Sequence, residues 1–498
     1  MKILLFMAAL AVSAQGVPTP GAAPHRDLLI KNVRIVSAGP VSLSERADLV
    51  VHKGRIARIG YALSEDDYTF ARVIDGAGRY LSPGLIDGHV HLGEVPGMSY
   101  AHEVTYADLA EETRAQMPRS FLYHGFTTLV DLNSNPRAMA DWNRRDIRPR
   151  AYFCGGTPVV NGYPMSFMPK PARYRMMPYF LYDETRADEF PEGFDPEAHS
   201  PAAVVDRIRA DGGICVKTHY ERGFGGRGNL PVPSEEKIRE LIAAAHARGM
   251  PVLLHANSQS SQRFGTAVDV DAFVHGMWTW DDRATTELHS GITDILDAAI
   301  QENIALQPTV QVLYGERDLH DPDYLEKPAL KDVLPQNLID WYATEDGQWW
   351  RRRMLNIPYF ADMADKGLWR EIDAEPIARV NNATTYFVKK GGRLLFGSDT
   401  PSDPTYANPP GLNGRLEMNN WLAAGITPQQ LFYAATLGNA RFYGLQDEIG
   451  SVAEGKRADL LLTTKNPMQD VSAYDRIEFV IVGGRVFKRE ELSAKNTP

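Results

Sequence analysis

The chain has 498 residues, of which 44% are hydrophobic and 23% are charged, proportions typical of a soluble globular protein. This length suffices for one large barrel together with a modest second domain. The formal net charge of -10 argues against a nucleic-acid-binding protein, because such a protein needs a basic face.

The N-terminus has the pattern of a secretory signal peptide. Met1 and Lys2 precede an apolar run over 3–12, and small residues follow through Ala14. We therefore predict that residues 1–24 form a signal peptide and a flexible leader, and that the protein is exported to the periplasm or the medium. A disordered apolar N-terminus is the alternative. The run is too short for a permanent transmembrane helix, and the sequence predicts no integral membrane segment elsewhere.

Short alternating strands dominate both ends of the chain. Residues 25–82 contain apolar runs such as 33–36 and 48–51, separated by turns rich in glycine. Residues 447–498 repeat this pattern, for example over 458–462. We predict that the two ends assemble one small composite β-sandwich.

The middle of the chain, residues 83–446, alternates strands with helices. One clear unit has an apolar strand over 214–217, a helix that begins after the N-cap residue Ser234, a stop at Gly249, and a new strand over 251–255. Such repeated units predict an α/β fold with a parallel sheet, and over roughly 360 residues a (β/α)8 TIM-type barrel is its natural closure. An open, doubly wound sheet is the alternative.

Two long interruptions of this pattern, 155–201 and 313–390, are rich in aromatic residues. Long insertions inside a compact domain are usually lids or binding loops. The alternative is that their aromatic side chains pack against the barrel's own helices.

The chain has two cysteines, Cys154 and Cys215. An exported protein could pair them. Both lie in apolar, strand-like runs, however, where buried free thiols are common. We expect two free, buried cysteines.

The strongest local signal is the run 83–91, which ends in His89, Val90 and His91. Residues two apart on a strand share a face, so both imidazoles can point to one site. Two histidines at a strand end make half of a zinc-type ligand set. An isolated H-x-H pair also occurs by chance, so the pair needs support from the rest of the chain.

That support comes from four later apolar runs, each of which ends in a polar residue able to serve an active site. These residues are Lys217, His255, His275 and Asp399. Barrel active sites are assembled at the C-terminal ends of the strands. Together with the H-x-H pair, the four strand ends predict a metal site.

The chain resembles the amidohydrolase superfamily from about Asp27 to Phe487. The motifs that carry the resemblance are the H-x-H pair after Pro-Gly-Leu-Ile-Asp, the strand 125–131, the Gly-Ser-Asp at 397–399, and the segments 423–428, 434–436 and 450–460. The branch it is most similar to contains prolidase-type and imidazolonepropionase-like enzymes, among them exported peptidases with a binuclear metal centre. The family's split β-sandwich also matches the two strand-rich ends.

The resemblance implies a ligand set for one or two divalent ions, with zinc as the expected metal: His89, His91, Lys217, His255, His275 and Asp399. Asp399 and the H-x-H pair would bind the more buried ion, and the two later histidines the more exposed one. Lys217 would bridge both ions, and because an ammonium has no lone pair it would carry a carbamate made with CO2. Asp87, on the same strand face as the H-x-H pair, could orient one of the ligands.

The reaction implied by this resemblance is hydrolysis of a C–N amide bond, of the peptide or N-acyl amino acid type, in a small-molecule substrate. The metals lower the pKa of a water so that hydroxide is available near neutral pH. Asp399 would take the proton of that water and pass it to the leaving amine.

Several alternatives remain open at this stage. His219 could replace Lys217 as a ligand or contact the substrate, and a mononuclear deaminase or cyclic-amide hydrolase would do without the lysine. Tyr220 and Arg222 are candidate contacts to a substrate carboxylate, as is Arg415. The aromatic insertion suggests a hydrophobic group in the substrate. A periplasmic binding protein without catalysis is the non-enzyme alternative, and the sequence leaves open whether the chain forms a homo-oligomer.

Overall fold

The computed structural model of the protein describes residues 27–38, 43–63, 72–224, 228–402 and 404–496. The predicted signal peptide and leader over 1–24 lie outside these residues. Within the described ranges, no helix combines the length and the apolar character that crossing a bilayer requires.

The strands are β1 (Leu28–Val36), β2 (Leu43–His52), β3 (Arg55–Gly60), β4 (Arg72–Asp75), β5 (Tyr80–Pro83), β6 (Leu85–Val90), β7 (Phe126–Asp131), β8 (Arg150–Gly156), β9 (Cys215–His219), β10 (Val252–His255), β11 (Ala272–Val274), β12 (Ala305–Gln307), β13 (Leu460–Thr463), β14 (Ile477–Val482) and β15 (Arg485–Lys488).

The α-helices are α1 (Tyr100–Thr105), α2 (Ala107–Tyr123), α3 (Pro136–Asn143), α4 (Arg173–Met176), α5 (Pro201–Ala210), α6 (Glu235–His246), α7 (Gln259–Val268), α8 (Ser290–Gln301), α9 (Gln311–Asp318), α10 (Leu330–Val333), α11 (Gln336–Tyr342), α12 (Trp349–Leu355), α13 (Pro358–Asp365), α14 (Ala374–Lys389), α15 (Leu412–Ala423), α16 (Pro428–Tyr433) and α17 (Asn439–Phe442).

Strands from both ends of the chain share one mixed sheet, in the order β15-β14-β13-β5-β1-β2-β3, with β4 paired to β1. The two ends meet where β13 pairs antiparallel with β5 and Leu462 lies opposite Leu81. Both leucines are buried in a hydrophobic cluster that also contains Ile30, Leu49 and Ile481. The chain ends therefore share a sheet and a core. The packing of two sheets into a sandwich remains a prediction. The domain boundaries given above also remain predictions.

The second sheet consists of seven parallel strands in the order β12-β11-β10-β9-β8-β7-β6. The extended segment 394–400 lies between its two edges, bridging β12 at Leu306–Leu394 and β6 at Val90–Thr400. The backbone N–H of Asp399 donates to the carbonyl of His89 at 2.8 Å, which ties the segment to β6. The arrangement is a curled parallel sheet of the TIM-barrel type, in which the carboxyl ends of all strands meet at one side.

The strand–helix unit predicted around Ser234 is confirmed. The Ser234 hydroxyl accepts a hydrogen bond from the N–H of Lys237 at 3.2 Å, which caps α6. After α6, Gly249 adopts a φ of +67°, a left-handed conformation that suits glycine, and the chain turns into β10.

The expectation of two free cysteines is wrong. Cys154 on β8 lies directly opposite Cys215 on β9, their Cα atoms are 4.4 Å apart, and the two residues form a disulfide. Both are buried in strands, as their apolar surroundings predicted. The two cysteines are 61 residues apart in the chain. The local sequence pattern around each of them does not reveal that their strands are adjacent, so it did not predict the pairing.

The two long insertions largely pack within themselves and against neighbouring loops. In the first, Met165, Met177 and Phe180 form a small buried core of their own. In the second, which is mainly helical, Trp341 and Tyr342 pack in a cluster with residues of the loop after β6. Most of these aromatic side chains are therefore structural.

Candidate metal centre

The candidate ligands lie together at the carboxyl ends of the barrel strands. They are His89 and His91 at β6, Lys217 and His219 on β9, His255 at the end of β10, His275 directly after β11, and Asp399 in the segment 394–400. Sheet register places His255 opposite His219. Parallel strand direction is what brings residues so distant in sequence to one side of the sheet.

One carboxylate oxygen connects the first half of the centre. Asp399 Oδ1 lies 2.8 Å from His89 Nε2 and 2.9 Å from His91 Nε2. One ligand atom from each of these three residues lies within 4.8 Å of the others. Imidazole nitrogens and a carboxylate oxygen that converge in this way fit a divalent ion such as zinc.

The second half of the centre adjoins the first. The ring centroid of His275 lies 5.3 Å from that of His89 and 4.6 Å from that of His255. His219 follows at 6.0 Å from His255. Nδ1 of His89 and of His219 is buried without a hydrogen-bond partner among the described residues. Unsatisfied ring nitrogens are costly in the interior.

The protonation of the first half is uneven. Burial favours the neutral form of both histidines, and it lowers the pKa of His89 to about 3. At His91 the hydrogen bond to Asp399, together with the charges of Asp399 and Glu94, overcomes burial and raises the pKa to about 9. The two histidines hold the pKa of Asp399 well below its usual range in spite of burial. Without an ion, therefore, one proton stays on His91 beside an ionised Asp399.

Lys217 is only 3% exposed, and burial lowers its pKa to about 7, although the charge of Asp399 acts in the opposite direction. A substantial fraction of this amine is therefore neutral near neutral pH. A neutral amine has a lone pair and can react as a nucleophile, which an ammonium cannot do.

Asp87 supports the centre through the backbone. Its Oδ1 accepts from the N–H of Ser398 at 2.9 Å and from the N–H of His89 at 3.2 Å, and its Oδ2 accepts from the Ser398 hydroxyl. We expected Asp87 to orient a ligand, and it does so by holding the chain next to Asp399 and at His89 rather than by contacting an imidazole.

Two of the candidate ligands and one supporting residue have left-handed backbone conformations. The φ angles are 56° at Asp399, 79° at His275 and 48° at Thr309. Such conformations cost about 1–3 kcal/mol each for residues other than glycine and persist where surrounding contacts enforce them. Thr309 Oγ1 lies 2.8 Å from His275 Nδ1, which leaves Nε2 of that ring for an ion.

A buried carboxylate on α15 holds the loop that carries Thr309. Glu417 accepts hydrogen bonds from the N–H groups of Val310 and Gln311, at 3.1 and 2.7 Å, and from the indole of Trp421 at 2.7 Å. It thereby links the helix that follows Asp399 to the start of α9. Sequence reasoning missed Glu417 because nothing in α15 indicates which loop it faces.

Three residues near His255 were also missed. Glu221 is buried, with Oε2 3.6 Å from His255 Nε2, and Asn257 Nδ2 lies 3.1 Å from the same nitrogen. The ring of Tyr163 lies 4.6 Å from that of His255. The spacing of Asn257, two residues after His255, was an available signal. Glu221 and Tyr163 lie in loops, where sequence gives no direction to a side chain.

The predicted contacts to a substrate carboxylate are not brought into the centre. Tyr220 packs on Phe264 with ring centroids 4.4 Å apart, and the exposed Arg222 donates to the Tyr220 hydroxyl at 3.2 Å. Arg415 donates to both carboxylate oxygens of Asp475, at 2.9 and 2.6 Å. Because these side chains contact other residues, the structure gives no support to the hypothesis that they bind a substrate carboxylate.

The comparisons with known proteins agree with this geometry. The model of the amidohydrolase family matches residues 80–319 and 373–487, well over half of the chain. The chain belongs to the amidohydrolase family. The family predicted from the H-x-H pair and the later strand ends is thus confirmed, and the candidate metal centre of this amidohydrolase lies within the matched residues.

Among curated relatives, adenine deaminase 3 of Rhizobium meliloti (strain 1021) is 32% identical over 474 residues, which are 95% of this chain and 59% of that enzyme. The chain spans 23% to 59% of the length of the first curated relatives that it matches. These relatives support membership of the amidohydrolase family.

Among solved structures, phenylurea hydrolase B aligns with a TM-score of 0.64 at 19% identity, over 95% of this chain and 98% of that chain. A Xaa-Pro dipeptidase with bound methionine in its active site aligns with a TM-score of 0.61 at 18% identity, over 93% of this chain and 100% of that chain. At this level of identity the likeness shows a shared fold.

Proposed function

We propose that this amidohydrolase is a metal-dependent hydrolase of C–N amide bonds. The observation that carries the proposal is the convergence of His89 and His91 on one oxygen of Asp399, with Lys217 and further histidines beside them. The printed names of the similar proteins, an adenine deaminase, a Xaa-Pro dipeptidase and a phenylurea hydrolase, support chemistry at carbon–nitrogen bonds. A closed (β/α)8 barrel is part of the same proposal.

His89, His91 and Asp399 would hold one divalent ion, and His255 and His275 a second. The ions supply a water of lowered pKa and polarise the carbonyl of the substrate. Zinc suits this mixture of nitrogen and oxygen ligands.

Lys217, converted to a carbamate, would contribute oxygen ligands to the same metal site. The lone pair of its neutral amine forms a C–N bond to the carbon of CO2, one C–O π bond breaks to leave a negatively charged oxygen, and one proton passes from the nitrogen to solvent. The lowered pKa of Lys217, caused by burial, favours this reaction because it increases the neutral fraction. The product carries a negative charge and two oxygen atoms that can act as ligands.

Asp399 is the proton carrier of the proposed reaction. The neighbouring histidines hold its pKa well below the usual range in spite of burial, so it is ionised and its oxygens are open to a proton. As a weak base it would release the proton taken from the attacking water readily to the leaving group. The oxygen of that water forms a bond to the carbonyl carbon, the C–N bond then breaks, and the proton passes from Asp399 to the leaving nitrogen. Asp87 holds the backbone next to this carboxylate by accepting from the N–H of Ser398 at 2.9 Å, so Asp399 is already in place.

A mononuclear deaminase or cyclic-amide hydrolase is the second candidate function. It is favoured by His219, which is buried near His255 and whose Nδ1 has no partner among the described residues. A ring in that position can contact a heterocyclic substrate without any lysine-bridged second ion.

We also propose that the protein is exported. The disulfide between Cys154 and Cys215 supports this, because such bonds persist mainly in oxidising compartments.

Metal content separates the candidate functions. Elemental analysis of the wild type and of Lys217→Ala is expected to give about two ions per chain, falling in the variant together with amide hydrolysis. Lys237→Ala is the matched control. Lys237 is also buried, but it lies on α6 and pairs with Glu184 and Glu240 instead of the candidate ligands. One ion per chain, unchanged in Lys217→Ala, would favour the mononuclear candidate. Amide hydrolysis that survives complete removal of metal would exclude both.

A further inference from the structure

Three aromatic side chains stand together beside the histidines and take no part in the proposed reaction. Tyr163 and Phe167 belong to the insertion after β8, and Phe224 to the loop after β9. Their ring centroids are 5.3 Å apart for Tyr163–Phe224, 5.8 Å for Tyr163–Phe167 and 6.2 Å for Phe167–Phe224. We call these three rings the aromatic wall.

The aromatic wall borders the second half of the metal centre. The Tyr163 centroid lies 4.6 Å from that of His255 and 5.7 Å from that of His219, and the Phe224 centroid lies 6.3 Å from that of His255. Both loops follow the carboxyl ends of their strands, so the wall stands at the same side of the barrel as the ligands. A substrate whose scissile bond reached His255 would pass beside it.

Two side chains of the aromatic wall are exposed to solvent, whereas the core of the insertion is buried. Phe167 is 45% exposed and Phe224 is 39% exposed, whereas Met165, Met177 and Phe180 are fully buried. Adjacent exposed apolar groups beside a cluster of buried polar residues are typical of ligand contacts. Phe167 and Phe224 have no ionisable group, so the exposed part of the wall suits an apolar group and disfavours a charged one.

We infer that the aromatic wall selects substrates with an aromatic or large apolar group next to the scissile C–N bond. Phe167 and Phe224 are its specificity-determining residues, and Tyr163 holds them against the metal centre. Rings prefer edge-to-face or offset contacts at such centroid distances, and a bound aryl group would add one more ring to the cluster. This inference rests on the proposed function, because it places the reactive bond at the metal centre.

The test uses two metal-binding probes that differ only in their apolar part, benzohydroxamate and acetohydroxamate. Calorimetric titration of the holoprotein, isolated with its metal, is expected to show benzohydroxamate bound at least about tenfold more tightly, as burial of a phenyl ring predicts. In Phe167→Ala and Phe224→Ala the ratio of the two affinities is expected to fall, and in the double variant to approach one.

Phe194→Ala is the matched control. Phe194 is 41% exposed in the same insertion, but its ring contacts Tyr174 and Phe180 instead of the metal centre. The affinity ratio in this variant is expected to equal that of the wild type. Thermal unfolding of each variant shows that it is folded.

Equal affinities in the wild type, a ratio that survives in the double variant, or no binding of either probe would each overturn the inference. Hydrolysis assays with matched benzoyl and acetyl amides distinguish a failure of the inference about the aromatic wall from a failure of the proposed function. Hydrolysis of both amides without preference overturns the role of the wall and leaves the hydrolase standing. Selective binding of benzohydroxamate without hydrolysis of any amide overturns the hydrolase and leaves the wall.

Discussion

His89 and His91 approach the same oxygen of Asp399, yet their pKa values shift in opposite directions. The surroundings of the two rings differ. The side chain of His91 is partly open to solvent, and the negative charges of Glu94 and Asp131 also raise its pKa. A single proton is therefore held at one defined ring, and an incoming ion must displace it.

Metal affinity should depend on pH through His91. Its raised pKa, about 9, means that the ring is protonated at neutral pH, and an imidazole must be deprotonated to bind metal. We expect affinity to fall about tenfold for each unit of pH below that value, with release of about one proton per ion bound. Titration of zinc into apoprotein, in buffers of different ionisation enthalpy, measures this release.

The control for that titration is His246→Ala, which removes a histidine that pairs with Asp271 at 2.8 Å outside the centre. Its proton release should match that of the wild type. A metal affinity that does not change with pH would contradict the protonated state of His91.

Asp399→Asn removes both a ligand and the proposed proton acceptor. Because a positioned general base contributes about 10²–10⁴-fold, we expect kcat for amide hydrolysis to fall by at least this factor. Steady-state kinetics, with metal content measured on the same samples, checks the prediction. Asp297→Asn, at an exposed carboxylate that accepts from Tyr386, is the control and should retain wild-type kcat. Near-normal turnover by Asp399→Asn would show that another group moves the proton.

Among the secondary-structure elements, β8 and β9 are joined both by hydrogen bonds and by the disulfide. Cys154 precedes the insertion that carries Tyr163, and Cys215 begins the strand that carries Lys217 and His219. The bond therefore ties together the two strands from which the aromatic wall and part of the candidate metal centre arise.

Removing the disulfide should destabilise the fold. A cross-link that closes a loop of this length contributes about 2–4 kcal/mol to the free energy of unfolding, mainly through the unfolded chain. We expect Cys154→Ala with Cys215→Ala to lower that free energy by this amount in denaturant titrations. The double variant should also be insensitive to reductant. A wild type whose unfolding midpoint is unaffected by reductant would argue against a stabilising disulfide.

For the molecule as a whole, the mixed sheet connects the C-terminus to the metal centre. β13 lies between β5 and β14, and β5 runs directly into β6, the strand of the H-x-H pair. The end of the chain is thus part of the support of the first ligand strand.

Truncation tests this dependence. Deletion of residues 458–498 removes β13, β14 and β15 and exposes the buried face of β5, so we expect loss of soluble protein or a large fall in the thermal unfolding temperature. Deletion of residues 496–498 alone is the control and should have little effect. A soluble, metal-binding protein without β13–β15 would show that the barrel is independent of this sheet.

The candidate ligands could be picked out of the sequence because their signals are local. An apolar run that ends in His255 or Asp399 is visible in the sequence, and parallel strands bring such ends together in any barrel of this type. The same holds for Ser234, whose capping hydrogen bond lies within the first turn of α6. The amidohydrolase family followed from the order of these local patterns.

Tertiary structure alone decided which residues face each other across the chain. It joined Cys154 to Cys215, turned Arg415 towards Asp475, and brought Tyr163 and Glu221 to His255. The physical reason is that strand periodicity and capping depend on neighbours in sequence, whereas loop direction and strand adjacency depend on the packing of the whole molecule. The sequence by itself determined which candidate ligands stand at the strand ends, and the fold determined their partners.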